Sequence, residues 1–120
     1  MKTLGEEIPN EQSQSQLLDH AHKVLAFWKQ KKHARLLRLT LLNWREKHSI
    51  SDIWQPEIIS TEIEEVFYHS RTMCDVIFHL KAELINSSYK MRFIKQEAAY
   101  LAGENGTWLY DPRSIVLVKF

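Results

Sequence analysis

The chain has 1 cysteine, Cys74, in 120 residues. A lone thiol forms no internal disulfide and supplies no cysteine-based zinc site. No run of about 18 apolar residues occurs, so no helical membrane span is expected. Residues 1–15 hold no apolar stretch of the kind a secretory signal requires. Cytoplasmic is therefore the default expectation, with a soluble fragment of a longer protein as the alternative. Glycine is scarce at 3 residues, and no P-loop, dinucleotide fingerprint, nucleophile elbow or zincin motif is present. No cofactor is called for. A strong charge of one sign is missing too, since the net charge is +1.

What is there is patterned. Residues 88–120 read as two extended segments joined through Glu104-Asn105-Gly106, and Asn-Gly is the strongest short hairpin signal. Tyr89, Met91 and Phe93 alternate with Lys90 and Arg92, the period of a half-buried strand. Ala98 and Tyr100 then fall on the other parity, and a bulge near Lys95 and Gln96 would account for that shift. Val76, Phe78, Leu80, Ala82 and Leu84 alternate with Asp75, Ile77, His79, Lys81 and Glu83, which predicts a strand with one core face and one wet face. Asn86-Ser87-Ser88 is the expected turn after it. Residues 61–68 carry Ile63, Val66, Phe67 and Tyr68 among Glu62, Glu64 and Glu65, the composition of an edge strand. Asp111-Pro112-Arg113 predicts a kink, and residues 115–120 are apolar on both faces.

The first half is helical. Residues 1–15 are polar and are expected to form a mobile tail, leaving residues 16–120 as one domain. Leu17, Leu18, Ala21, Val24, Leu25 and Trp28 recur at spacings of three and four. The stripe stops at Lys31 and Lys32. Leu36, Leu37, Leu41 and Trp44 start a second helix that would run to about His48. Ser51-Asp52 would cap a short third turn, ended by Pro56. Helices first and antiparallel strands afterwards predict an α+β domain, with N-terminal helices packed into a strongly bent sheet of about four strands. Leu18, Leu25, Trp28, Val76, Phe78, Leu80, Met91 and Phe93 are the expected core.

The helix over residues 17–28, the bulged strand over residues 89–101 and Gly106-Thr107-Trp108 together resemble the nuclear transport factor two-like family, within the cystatin-like cone folds. The resemblance covers residues 16–120. It implies a helix lying in the concavity of a bent sheet. Many members carry Gly-Asp between the first two helices, where this chain has Lys31-Lys32-His33. The family includes isomerases, dehydratases, transport factors and assembly domains, so the resemblance implies a fold before it implies an activity.

Candidate functional residues follow from charge and chemistry. Residues 21–48 hold eight Lys/Arg against Glu46 alone, a local net of +7, and residues 49–75 hold six acids against Arg71, a local net of −5. Lys29, Lys31, Lys32, Arg35 and Arg38 would form a basic surface for phosphates or an acidic partner. The same pattern fits a solvated face balanced by neighbouring acids. Nucleic acid is disfavoured, because no aromatic residues interleave with the basic ones. His20 and His22 diverge on a helix and cannot share a metal ion, which leaves His69 and His79 across adjacent strands as the one pairing to consider. No metal site is expected.

An enzyme of the cone type would need ionisable groups facing an apolar cavity. His20, His22, Tyr68, Tyr100 and Asp75 are the candidates, although the parity of Asp75 points it to solvent. Trp54, with Ile53, Ile58 and Ile59 around it, would act as a pocket lid or in a subunit contact. No catalytic constellation emerges from the sequence. The reading is a non-catalytic binding or assembly module, a homodimer through the sheet, with a protein partner or a small apolar ligand. Its alternatives are a small-molecule isomerase or lyase in the cone and a binder of nucleic acid or an acidic partner through the basic helix over residues 29–38.

Overall fold

The computed structural model describes residues 8–96 and 107–118. Helix α1 (Glu11–Lys29) begins five residues earlier than its apolar stripe predicts. Asn10 is the cause. Its side chain accepts the Ser13 N–H at 2.8 Å, and Glu11 places a negative charge on the positive end of the helix. Residues 11–15 are thus helix, not tail, and Ser13 is buried. At the other end Lys31 N–H donates to the Trp28 carbonyl at 3.2 Å and Lys32 N–H to the Phe27 carbonyl at 2.8 Å. This double closure is a Schellman motif, and it forces Lys31 to φ 59°, a left-handed position that glycine usually takes.

The second helix is not continuous. Helix α2 (His33–Leu37) and helix α3 (Leu42–Lys47) are separated because the chain between them pairs with a strand. Tyr110 N–H donates to the Leu39 carbonyl, and Leu41 N–H donates to the Tyr110 carbonyl, both at 2.9 Å. Thr40 between them is buried, and its hydroxyl donates to the Leu37 carbonyl at 2.6 Å. The leucine spacing carries on across Thr40, which is why the pattern alone reads as one helix. A 3-10 turn follows at Ile50–Asp52, closed by Ser49 N–H donating to Asp52 Oδ2 at 2.8 Å, so the cap falls two residues before Ser51.

The strands are β1 (Ile58–Ser70), β2 (Met73–Ala82), β3 (Asn86–Gln96), β4 (Thr107–Tyr110) and β5 (Val116–Leu117). All pair antiparallel, in the order β1-β2-β3-β4, with β5 pairing β3 beyond β4. The domain is α+β, with N-terminal helices on an antiparallel sheet of five described strands. Residues 61–68 do lie in the edge strand, which extends further at both ends. Asn86, Ser87 and Ser88 belong to β3, and the turn sits at residues 83–85, where Ala82 N–H donates to the Ile85 carbonyl at 2.7 Å. Leu84 is on that turn and 96% exposed, so the alternation of β2 ends one step sooner than the leucine implies. Register along β3 is regular from Asn86 to Ile94 against β2, and Lys95 and Gln96 pair with β4. The parity change at Ala98 and Tyr100, and the Asn105-Gly106 turn, fall outside the described residues. The register shifts lie instead in β1, between Ile58 and Ser60, Ile63 and Glu65, and Tyr68 and Ser70. Asp111-Pro112-Arg113 opens a 3-10 turn (Pro112–Ser114), with Asp111 accepting the Arg113 N–H at 3.0 Å.

One face of the sheet meets the helices. Cys74, Val76, Phe78, Leu80 and Ala82 on β2, Met91 and Phe93 on β3, and Trp108 and Tyr110 on β4 join Leu17, Ala21, Val24, Leu25 and Trp28 of α1 in a single core. Of the expected core residues only Leu18 is outside it. The buried stripe of α1 centres on Leu17, Ala21, Val24 and Trp28, and Leu18 lies to one side, 39% exposed beside β1. Burying a leucine or a phenylalanine side chain contributes about 1.5–3 kcal/mol, so this core dominates the stability of the domain.

Candidate functional site

The interior between α1 and the sheet is the natural place to look for a site, and it is occupied by side chains. Trp28, Phe78 and Met91 are all buried there. The Trp28 ring meets Phe78 at 6.0 Å and Trp54 at 5.6 Å, both edge-on. Tyr89 completes the cluster, 6.1 Å from Phe78 and 5.4 Å from Trp54. Trp28 Nε1–H donates to the Trp54 carbonyl at 2.6 Å, which fixes the irregular stretch after the 3-10 turn over the end of α1. Trp54 is 41% exposed and covers this cluster from the solvent side.

The candidate acids and bases are not gathered there. His20 is half-buried on α1, and His22 is exposed on it. Tyr68 is half-buried on β1, opposite Cys74 in the register, and burial raises its phenol above the usual range, with Cys74 adding to the effect. Tyr100 lies outside the described residues. His69 and His79 do not meet. His79 lies opposite Glu62 and hydrogen-bonds Asn86 Oδ1 at 2.5 Å, whereas His69 turns to Asp75. Among the described residues no group of three or more His, Cys, Asp or Glu side chains is placed to hold a metal ion.

The basic residues are also dispersed. Lys29 lines a groove beside β1 together with His22. Lys31, Lys32 and Arg35 border a different hollow with Ile50. Lys31 Nζ is paired with Glu57 at 2.5 Å, Arg35 lies over the Phe27 ring at 5.9 Å, and Arg38 offers its carbonyl to Arg45 Nη2 at 2.6 Å. Both partners of the Lys31–Glu57 pair are exposed, so it counts for little in stability, but it does offset one charge of the basic run.

The most structured polar group is on the opposite face of the sheet. Asp75 has the outward parity of β2, as its alternation predicts, yet it is only 4% exposed. Arg92 from β3 donates through Nε to Oδ1 at 2.9 Å and through Nη2 to Oδ2 at 3.2 Å, and His69 Nε2 reaches Oδ2 at 2.7 Å. Burial alone would raise the Asp75 carboxyl, but the hydrogen bonds and charges of Arg92 and His69 outweigh it and hold the group below the usual carboxylate range. The Arg92 guanidinium is raised by the same hydrogen bond. Arg92 is fixed from behind as well, because its N–H donates to Ser114 Oγ at 2.7 Å. The triad fastens β1, β2 and β3 together. Sequence patterning assigns Asp75 to a wet face because it registers parity and not the two long side chains that fold over the carboxylate.

Two further surfaces are open among the described residues. On the outer face, Phe67 is 49% exposed, and Val116, also exposed, pairs with Lys90 in the row that contains Ile77. Glu62 and Glu65 stand on β1 in that face, and Lys81 on β2 and Lys90 on β3 stand across from them. Glu64, at the register shift, accepts a hydrogen bond from Ser88 Oγ. The other surface is a groove of about 720 Å³ between α1 and β1, lined by Leu18, Leu25, Ala26 and Ile63 with His22, Lys29 and Glu62 at its sides.

No protein-family model, no curated protein and no solved structure matches this chain. No described helix is long and apolar enough to cross a membrane.

Proposed function

We propose that this protein is a non-catalytic binding or assembly module on the nuclear transport factor two-like plan, and that it works as a homodimer through the outer face of its sheet. The observation that carries the reading is the packed interior: Trp28, Phe78, Met91 and Tyr89 occupy the space in which a cone enzyme keeps its substrate. An isomerase or lyase needs two or more polar groups within reach of one point in an enclosed cavity. The described polar candidates lie apart, His20 and His22 on α1, Tyr68 on β1 and Asp75 on the far side of β2, and this spread favours binding over catalysis.

The outer face supports a second copy as its occupant. A two-fold axis over β2 lays the acidic strand of one protomer, with Glu62 and Glu65, across Lys81 and Lys90 of its partner. The same operation covers Phe67 and Val116, which are otherwise open to water. Sedimentation equilibrium at micromolar concentration tests this. A dimer that Phe67→Asp dissociates is the expected result, and a monomer at high micromolar concentration overturns the dimer. Screening for turnover of cyclic ketone and hydroxy-acid substrates tests the non-catalytic part, which any saturable activity would overturn.

A further inference from the structure

We propose that the free edge of β1 and the groove beside it form a docking site for an extended peptide strand whose side chains alternate between apolar and basic. This names a partner for the binding role above and rests on that reading. Three observations converge on it. First, β1 runs for 13 residues, and among the described residues it pairs only with β2, so its other edge presents unpaired backbone donors and acceptors. Second, the groove lies on the helix side of that edge. Leu18 and Ala26 of α1 are exposed there, and Ile63 of β1 faces the same space. A strand added to β1 would direct every second side chain into the groove and the others to the outer face. Third, β1 carries Glu62, Glu64 and Glu65 and no lysine or arginine.

Charge selects the occupant. Two copies of β1 paired edge to edge would bring Glu62 and Glu65 of each together, and like charges across a strand pair oppose it. The edge is therefore closed to its own kind and open to a strand bearing lysine or arginine on the outward side. Leu18, Leu25, Ala26 and Ile63 give the groove its apolar floor, between His22, Lys29, Gln30, Thr61 and Glu62, so the inward side chains of the partner are aliphatic. The register shift between Ile63 and Glu65 inserts Glu64, whose carboxylate accepts from Ser88 Oγ on β3, so Glu62 and Glu65 are the acids β1 offers to a partner here.

The probe is an eight-residue peptide alternating valine and lysine, titrated onto the full chain with amide hydrogen exchange as the readout. Expected are slower exchange along β1, binding weakened by salt, and a loss of at least about tenfold in affinity in both Leu18→Asp and Ala26→Arg. Glu62→Gln with Glu65→Gln should weaken binding about three- to fivefold in the Phe67→Asp background, where no second copy engages these two acids. A peptide N-methylated at every residue should not bind, since neither of its edges keeps the donors that strand addition needs. The proposal is overturned by equal binding of the N-methylated peptide, by equal binding of a valine–glutamate peptide, or by no binding at about 1 mM. It is also overturned by self-association that Leu18→Asp abolishes, which would make a second copy the occupant. The dimer is scored separately: Phe67→Asp should break it and leave peptide binding intact, and Leu18→Asp should do the reverse.

Discussion

Trp108 and Ser13 are 95 residues apart in the chain and in contact: the buried indole Nε1–H donates to the Ser13 carbonyl at 3.1 Å. Lys95 Nζ donates to the hydroxyl of the same serine at 3.0 Å. The last long element of the sheet is thereby tied to the first turn of α1. That turn exists because Asn10 caps it, so the cap, the helix start and the β3–β4 pair stand or fall together. Trp108→Phe removes this second donor from a carbonyl that keeps its helical one and should cost about 1 kcal/mol, and Trp108→Ala about 3–5 kcal/mol. Urea unfolding followed by circular dichroism measures both. Equal stability of Trp108→Phe and the parent would mean that this bond does not hold the two ends together.

The Asp75 cluster gives a pH dependence of definite sign. Its carboxyl is held below the ordinary range, so its stabilisation is complete above the unfolded value of about 3.9 and fades as the pH falls through the lower folded value. Asp75→Asn should cost about 2 kcal/mol near pH 6. The Arg92 side chain is 38% exposed, and solvent screening keeps the figure below that of a fully buried pair. The gap between variant and parent should narrow below about pH 4. A gap that is constant from pH 6 to pH 2 would show that the carboxylate charge is not what matters.

Much of the architecture was legible in the residues themselves. The α1 stripe, the alternation of Val76, Phe78 and Leu80, and the order of helices before strands define the α+β domain, because each depends on local periodicity. The elements that differ are those set by contacts distant in sequence. Thr40 breaks the second helix only because Tyr110 pairs with it from 70 positions away in the chain. Ser13 is helical through the local Asn10 cap, but it is buried because Trp108 covers it. Asp75 disappears from solvent because Arg92 and His69 close over it. The groove beside Leu18 is of the same kind, since a helical wheel places this leucine on the apolar side and does not reveal where the sheet ends.

Lys31 occupies a position built for glycine. At φ 59° a side chain crowds its own backbone, and a left-handed non-glycine residue costs about 1–2 kcal/mol. Lys31→Gly removes that crowding but frees the unfolded chain, so the net gain should be about 0.5 kcal/mol. It also deletes the exposed pair with Glu57. Lys31→Ala is the control, because it keeps the crowding and loses the same pair. Thermal melting should rank Lys31→Gly above the parent and Lys31→Ala near it. A gain in both would point to the lysine charge, surrounded by Lys29, Lys32 and Arg35, as the source.

Cys74 should be silent in the native protein. It is fully buried, and burial, with Asp75 next to it, pushes its thiol up to about 12, so almost none of it is thiolate at pH 8. A thiol reagent can reach it only when β2 opens. Labelling followed by mass spectrometry should be negligible without denaturant and should rise along the unfolding curve in urea. Prompt native labelling would place the core around Cys74 in a looser state than its packing implies.

The packed interior makes the sharpest test of the non-catalytic reading. Phe78 is enclosed by Trp28 on one side and Tyr89 on the other, and its neighbours on the same face, Val76 and Leu80, are buried too. If that space is filled in solution, Phe78→Ala must open a cavity, at a cost of about 3–5 kcal/mol. An apolar cavity of that kind stays dry and accepts a small aromatic molecule. Benzene should therefore raise the melting temperature of Phe78→Ala and leave that of the parent unchanged, because only the variant has room for it. Should the parent bind benzene as well, the interior would already be open. The aromatic cluster would then be the wall of a pocket, and the search for a substrate should begin there.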